Sequence, residues 1–256
     1  MLGLMLTAER HRAILRLLEE NGRITVAEIT RRFQVSASTA RRDAVLLAKS
    51  GQAFRSHGGL LPAKFFEEEP GLRGPNGHAN GTEASIARRA VELVPHEGAV
   101  FVDSGSTCLE VGRLLVERRN LRLFTNSVPL IALAAESQAT ITSIAGEMNK
   151  ESKAFFGPLA LTWLARLRFD VAILGAAGLE RSGGALATCT GDAAIKAEVM
   201  RRSDSCVLVT EAAKWNGPAP IRFARWSEFD AIVTDHALPR DARIALAAEK
   251  VKVVLA

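Results

Sequence analysis

Two stretches of this 256-residue chain carry side chains whose type and spacing can do chemistry. The first is Asp103-Ser104-Gly105-Ser106-Thr107, which follows an apolar run and leads into a helical pattern. Hydroxyls, a glycine that lets backbone amides come close, and a helix start together suit a phosphate, because the first N–H groups of a helix have no intrahelical acceptor and lie at the positive end of its dipole. The same residues also serve as an ordinary helix cap, and spacing alone leaves both uses open. Further polar groups stand at the ends of later apolar runs. Thr125-Asn126-Ser127 is one, and Gly146 ends another. At Ala176-Ala177-Gly178 a bulky side chain would crowd a ligand. Asp192 and Lys196 are four apart and share a helix face, and Lys214 follows a run ending at Thr210. These charged positions equally fit a solvated surface.

The second stretch is Ser36 to Asp43. Ser36 caps a helix that presents Ser38, Thr39, Arg41 and Arg42. Adjacent arginines point about 100° apart on a helix, so the pair can straddle a groove edge and reach phosphate or guanine. Asp43 is read as an ion-pair partner that holds a neighbouring arginine.

The elements that must position these groups are legible in the pattern. Apolar residues Ile14, Leu15, Leu17 and Leu18 predict a helix over residues 7–21, with Thr7 as a cap and Asn21-Gly22 as its end. Thr25 to Glu28 is a capping box for a second helix ending near Phe33. The third helix runs from Ala37 to about Lys49, ended by Ser50-Gly51. Gln52 to Leu61, with His57-Gly58-Gly59, predicts a two-stranded hairpin. Three helices with a short Gln34-Val35-Ser36 connection, then a hairpin, make a winged helix-turn-helix. Its wing would place Arg55 and His57 against a neighbouring backbone. A three-helix protein-binding module is the alternative.

Turn formers crowd residues 63–82, which are read as a linker. Residues 83–256 alternate helical and continuous apolar strand patterns. Helices are expected at Ile86–Val94, Cys108–Val116, Pro129–Glu136, Leu159–Leu167, Ala193–Arg201 and Arg240–Ala248. Strands are expected at Ala99–Val102, Leu121–Thr125, Thr140–Ala145, Val171–Gly175, Cys206–Thr210, Ala231–Val233 and Val251–Leu255. This predicts a Rossmann-like, mostly parallel α/β domain covered on both faces, binding its ligand at the strands' carboxyl ends.

Composition narrows the function. The net charge of +5 is carried by residues 1–63, which hold ten basic and five acidic residues; the remainder is neutral. A basic module joined to a neutral domain points to a polyanion partner. The longest uncharged stretches, Leu123–Ala135 and Ala154–Ala165, fall far short of the roughly 20 residues a membrane helix needs, and no secretory leader pattern opens the chain. Cys108, Cys189 and Cys206 are odd in number and far apart, which excludes a disulfide framework or paired-cysteine metal site and fits a reducing cytoplasm. His78, His96 and His236 lack metal-ligand spacing. No metal or cofactor is expected. Cys108 is read as a structural thiol. Trp163, Trp215 and Trp226 are read as core, with Trp215 of interest beside Lys214.

The motifs together resemble the DeoR/GlpR family of bacterial repressors. Arg23 to Ile29, Phe33-Gln34-Val35-Ser36, Thr39 to Asp43 and His57-Gly58-Gly59 match its DNA-binding pattern, with Ala40 and Ala44 replacing larger apolar residues. Asp103 to Thr107, Thr125-Asn126-Ser127, Phe156-Gly157-Pro158, Leu174-Gly175, Asp192 to Lys196 and Lys214-Trp215 resemble its sensor domain, which is similar to ribose-5-phosphate isomerase. The resemblance covers nearly the whole chain. It implies a repressor of a carbohydrate operon that binds double-stranded operator DNA as a homodimer or homotetramer and is relieved by a phosphorylated sugar. Ser104, Gly105, Ser106 and Thr107 would hold the phosphate; Asp103, Thr125, Asn126, Asp192, Lys196 and Lys214 would face the sugar. Ala177 stands where the family has an acidic residue, and Asp192 where Glu is usual. Losing one carboxylate and shortening another argues against isomerase activity, which needs a positioned base. The same positions bear on which sugar is bound. The alternative class is a sugar-phosphate isomerase-like enzyme with an accessory helical domain, using Asp192 and Lys196 as its acid/base pair.

Overall fold

The structure, a computed structural model, describes residues 7–21, 24–50, 52–56, 59–62, 81–181 and 183–256. The chain divides into two compact units, residues 1–68 and 69–256. Gly22, Gly51, His57, Gly58, His78 and residues 63–80 of the expected linker lie outside the described residues, as does the side chain of Arg55.

In the first unit α1 (Thr7–Asn21) is followed by the short β1 (Ile24–Thr25), α2 (Val26–Phe33), α3 (Ala37–Lys49), β2 (Ala53–Ser56) and β3 (Gly59–Pro62). The capping box forms as the sequence predicts: the Glu28 amide donates to Thr25 Oγ1 at 3.1 Å, and the Thr25 amide donates to Glu28 Oε2 at 2.7 Å. Gln34, left-handed at φ 50°, ends α2, and Ser36 accepts from the Thr39 amide to start α3. The buried face of α1, Ile14, Leu17 and Leu18, meets Ile29, Ala40, Ala44, Leu47 and Leu60. Ala40 and Ala44, where the family has larger residues, are fully buried core positions of α3. The three strands pair antiparallel in the order β1-β3-β2, which gives the helices their wing.

The second unit opens with α4 (Gly81–Ala90) and a 3-10 turn (Val91–Leu93). Gly81 and Thr82, expected at the linker's end, already belong to this helix; its polar first turn carries no apolar period to announce it. The next elements are β4 (Gly98–Val102), α5 (Ser106–Leu115), β5 (Leu121–Thr125), α6 (Val128–Ile131) and β6 (Thr140–Ser143). A hairpin of β7 (Glu147–Asn149) and β8 (Ala154–Phe156) precedes α7 (Pro158–Leu164) and β9 (Phe169–Leu174). Then come β10 (Gly178–Glu180), β11 (Gly184–Ala187), α8 (Thr190–Arg201), β12 (Ser203–Val209), β13 (Ile221–Ala224), β14 (Ala231–Thr234), α9 (Arg240–Ala248) and β15 (Lys252–Leu255).

Seven strands form one sheet in the order β15-β14-β12-β9-β4-β5-β6, and every pairing is parallel. Successive side chains of a strand point to opposite faces. Phe101 of β4 therefore enters one apolar layer with Phe169, Ile195 and Leu208. Val100 and Val102 enter the other, with Ile86, Leu115 and Val233. Burial on both faces explains why these strands read as continuous apolar runs. From β4 the chain winds outward through β5 and β6, returns to β9 on the other side of β4, and winds the opposite way. The order reverses between β4 and β9, and that is where such sheets open a crevice at their carboxyl ends.

Candidate functional site: a cleft at the switch point

The cleft lies at that reversal. Residues 104–108 line it from the end of β4, residues 175–177 from the end of β9, Thr188, Asp192 and Lys196 from α8 and the turn before it, Val209 from the end of β12, Lys214 from the segment after it, and Ser152 from the β7–β8 turn. It measures about 450 Å³, counting space open to solvent at its mouth.

Gly105 sits at φ 105° immediately before α5, a conformation that L side chains rarely adopt. It turns the chain into α5, whose first residues Ser106, Thr107 and Cys108 line the cleft together with Ser104. The opposite lip is close to this loop: a Cβ added at Gly175 would lie 3.4 Å from the Ser104 carbonyl and 3.3 Å from Cys108 Sγ. Asp103 ties the two strand ends together. Its amide donates to the Ile173 carbonyl at 3.0 Å, and its Oδ2 accepts from the Gly175 amide at 3.0 Å. Asp103 is fully buried behind the loop, outside the cleft lining.

Lys196 extends from α8 to the same carboxylate, donating to Asp103 Oδ2, and stands 3.0 Å from Asp192 Oδ1 one turn back. Its ammonium lies over the Phe223 ring, 5.6 Å from the centroid. Burial acts against the lysine charge, but the Asp103 and Asp192 carboxylates more than offset it and hold Lys196 above the usual lysine range. Lys196 is a permanent cation whose charge is already answered within the protein. Lys214 is different: its Nζ donates to the Ala176 carbonyl at 2.8 Å, and an ammonium has three donors. Beneath it, Trp215 is buried and stacks on Trp226 at 5.6 Å between centroids. Trp215 is thus core, whereas Trp163, also expected as core, is half exposed on α7.

Thr125 and Asn126 do not reach the cleft. Thr125 Oγ1 accepts from the Ser127 amide at 3.0 Å, and Asn126 Nδ2 donates to the Phe155 carbonyl at 3.2 Å. The Phe155 amide returns a bond to the Asn126 carbonyl at 2.9 Å. They end β5, on the far side of β4 from the reversal, and clamp the β7–β8 hairpin. That hairpin brings Ser152, which the sequence reading passed over; its signal was Asn149, whose Oδ1 accepts from the Ser152 amide at 2.9 Å. Thr188 was also passed over and has no local signature. Cys108 is buried beside the loop. Among the described residues no His/Cys/Asp/Glu group is arranged to hold a metal, and no helix is long and apolar enough to cross a membrane.

In the first unit Ser38, Arg41 and Arg42 are exposed along α3, with Thr39 half-buried. Ser36 Oγ lies 2.7 Å from Ser38 Oγ and 2.9 Å from Thr39 Oγ1, so the capping residue gathers the hydroxyls at the helix start. Asp43 does form an ion pair, and the arginine it holds is Arg10 of α1, 33 residues away: Arg10 Nε and Nη2 donate to its two oxygens at 2.7 and 3.1 Å, while His11 Nε2 lies 3.0 Å from Oδ1. Burial raises the Asp43 carboxyl, but the Arg10 and His11 hydrogen bonds and charges outweigh it and leave it below the usual carboxylate range.

Comparison with known proteins places both units. Residues 10–64 match the DeoR-like helix-turn-helix domain and residues 80–236 the DeoR C-terminal sensor domain. The HTH-type transcriptional regulator GlpR of Haloferax volcanii is 29% identical over 98% of each chain. The glycerol-3-phosphate regulon repressor of Escherichia coli K12 is 28% identical over 90% of this chain and 92% of its own. Among solved structures, ribose 5-phosphate isomerase of Methanocaldococcus jannaschii aligns over 52% of this chain and 53% of its own, at 17% identity and a TM-score of 0.39.

Proposed function

The chain belongs to the DeoR family of helix-turn-helix transcriptional regulators, and on that premise we propose that it represses an operon of carbohydrate use and releases its operator when a phosphorylated sugar fills the cleft of the second unit. It is a regulator, not an enzyme. The observation that carries the effector assignment is that the hydroxyl loop, the first turn of α5 and Lys214 line one cleft at the sheet's reversal. The α5 amides, Ser104, Ser106, Thr107 and the Lys214 ammonium hold the phosphate. Asp192 lines the sugar end and selects hydroxyls as an acceptor. Asp103 and Lys196 position: they join β4, β9 and α8, so a ligand that shifts one strains the others. Thr125 and Asn126 act one step further out, through the hairpin that carries Ser152.

On the DNA side Ser38, Thr39, Arg41 and Arg42 read the operator, with Arg55 and His57 of the wing on the neighbouring backbone. A homodimer or homotetramer belongs to the same proposal, because one winged helix makes few base contacts and paired half-sites add specificity. The cytoplasm, where such DNA lies, is its place of work. Calorimetry on the full chain tests the effector assignment with glycerol, pentose and hexose phosphates. One phosphate ester should bind, its dephosphorylated form should not, and Ser106→Asp should abolish binding through like-charge repulsion. Unchanged binding by Ser106→Asp overturns the assignment of the loop.

A further inference from the structure

Leu46 of α3 is 46% exposed. Successive helix residues are 100° apart, and α3 divides accordingly. Ala40, Asp43, Ala44 and Leu47 are buried on one side. Ser38, Arg41, Arg42 and Leu46 are exposed on the other, with Val45 half-buried between them. Ser38, Arg42 and Leu46 follow one another at intervals of four and so form one line along the helix. The buried core takes Ala40, Ala44 and Leu47 from α3, and Leu46 lies outside it. A lone exposed leucine is ordinary on a protein surface; this one is set apart by its line with Ser38 and Arg42.

The charge around Leu46 says what covers it. Arg42 stands one turn before it on the same line, Arg41 is exposed on the same side of α3, and the basic excess of the chain lies in this segment. The surface fits a polyanion. In the major groove of a DNA duplex, the apolar group offered at the base edges is the thymine C5-methyl. We propose that Leu46, flanked by Val45, determines specificity by packing on a thymine methyl beside the base pair that Arg42 reads. The inference rests on the operator-reading role of α3. Four residues separate Leu46 from Arg42, about 6 Å along the helix axis, and base pairs rise about 3.4 Å each. The methyl therefore lies one or two base pairs from the guanine contact.

The test uses the full-length chain and a duplex it selects from a randomised pool, each thymine in turn replaced by deoxyuridine. That change keeps base pairing and removes only the methyl. At one or two positions next to an essential guanine, the substitution should weaken wild-type binding about three- to tenfold. Leu46→Ala and Leu46→Gln should bind the thymine duplex weakly by the same factor and lose nothing more with deoxyuridine. Wild-type binding indifferent to deoxyuridine at every position overturns the proposal. So does a Leu46→Ala chain as sensitive to it as wild type, which would assign Leu46 to a protein contact. A wild-type chain that does not distinguish selected from scrambled DNA overturns the operator reading itself, and that failure is recognisable as separate.

Discussion

Two buried charge clusters set what single residues contribute. Asp43 joins α3 to α1 through a bidentate arginine. Breaking such a pair leaves an uncompensated buried charge, so Asp43→Asn should destabilise the first unit by about 3–5 kcal/mol in denaturant unfolding. The Asp43 carboxyl lies below its unfolded value, so its contribution is present above roughly pH 4 and is lost as pH falls through the lowered folded value. The variant's stability should lose that part of the acid dependence. Lys196 is the opposite case. Its folded pKa is raised, so its contribution is complete at neutral pH and is lost only as strongly alkaline pH passes the folded value. Lys196→Met should cost about 3–5 kcal/mol in denaturant unfolding by stranding Asp103 and Asp192. That Asp43 makes an ion pair was readable from its place beside two arginines. The identity of its partner was not, since 33 residues of chain separate it from Arg10 and only packing of α1 on α3 brings them together.

At the scale of elements, the parallel strands were legible because burial on both faces leaves continuous apolar runs. The hydroxyl loop was legible because phosphate cradles and helix caps use the same few residue types. The strands that the pattern does not announce, β1, β7, β8, β10, β11 and β13, are two to four residues long and antiparallel, so the expected two-stranded wing has a third strand. Gly184–Ala187 is buried at all four positions, so it shows no apolar–polar alternation. Ser152 and Thr188 reach the cleft from the turns that follow β7 and β11, so no strand pattern announces them. Gly105 is the element-level hinge of the loop. Gly105→Ala should cost about 1–3 kcal/mol, the strain of a non-glycine residue in this backbone region. By tilting the α5 amides it should weaken phosphate binding in calorimetry, while leaving α3's affinity for DNA unchanged.

At the scale of the molecule, charge and chemistry are segregated: the basic excess lies in the first 63 residues, and the charges of residues 64–256 sum to zero. A ligand in one unit changes DNA affinity only through unequal affinity for DNA-competent and incompetent states. Such coupling is worth about 1–3 kcal/mol, or roughly 5- to 150-fold. Arg41→Ala and Arg42→Ala should each weaken operator binding at least tenfold and flatten its salt dependence, with effector affinity unchanged. The most direct measurement is fluorescence anisotropy of the full chain on DNA from upstream of its own gene, at two salt concentrations, titrated with the phosphate ester found by calorimetry. Binding stronger than to random DNA, released at least fivefold by that ester and not released in Ser106→Asp, is the predicted result. Salt-sensitive binding without sequence preference, or operator affinity that the bound ester leaves unchanged, would contradict it.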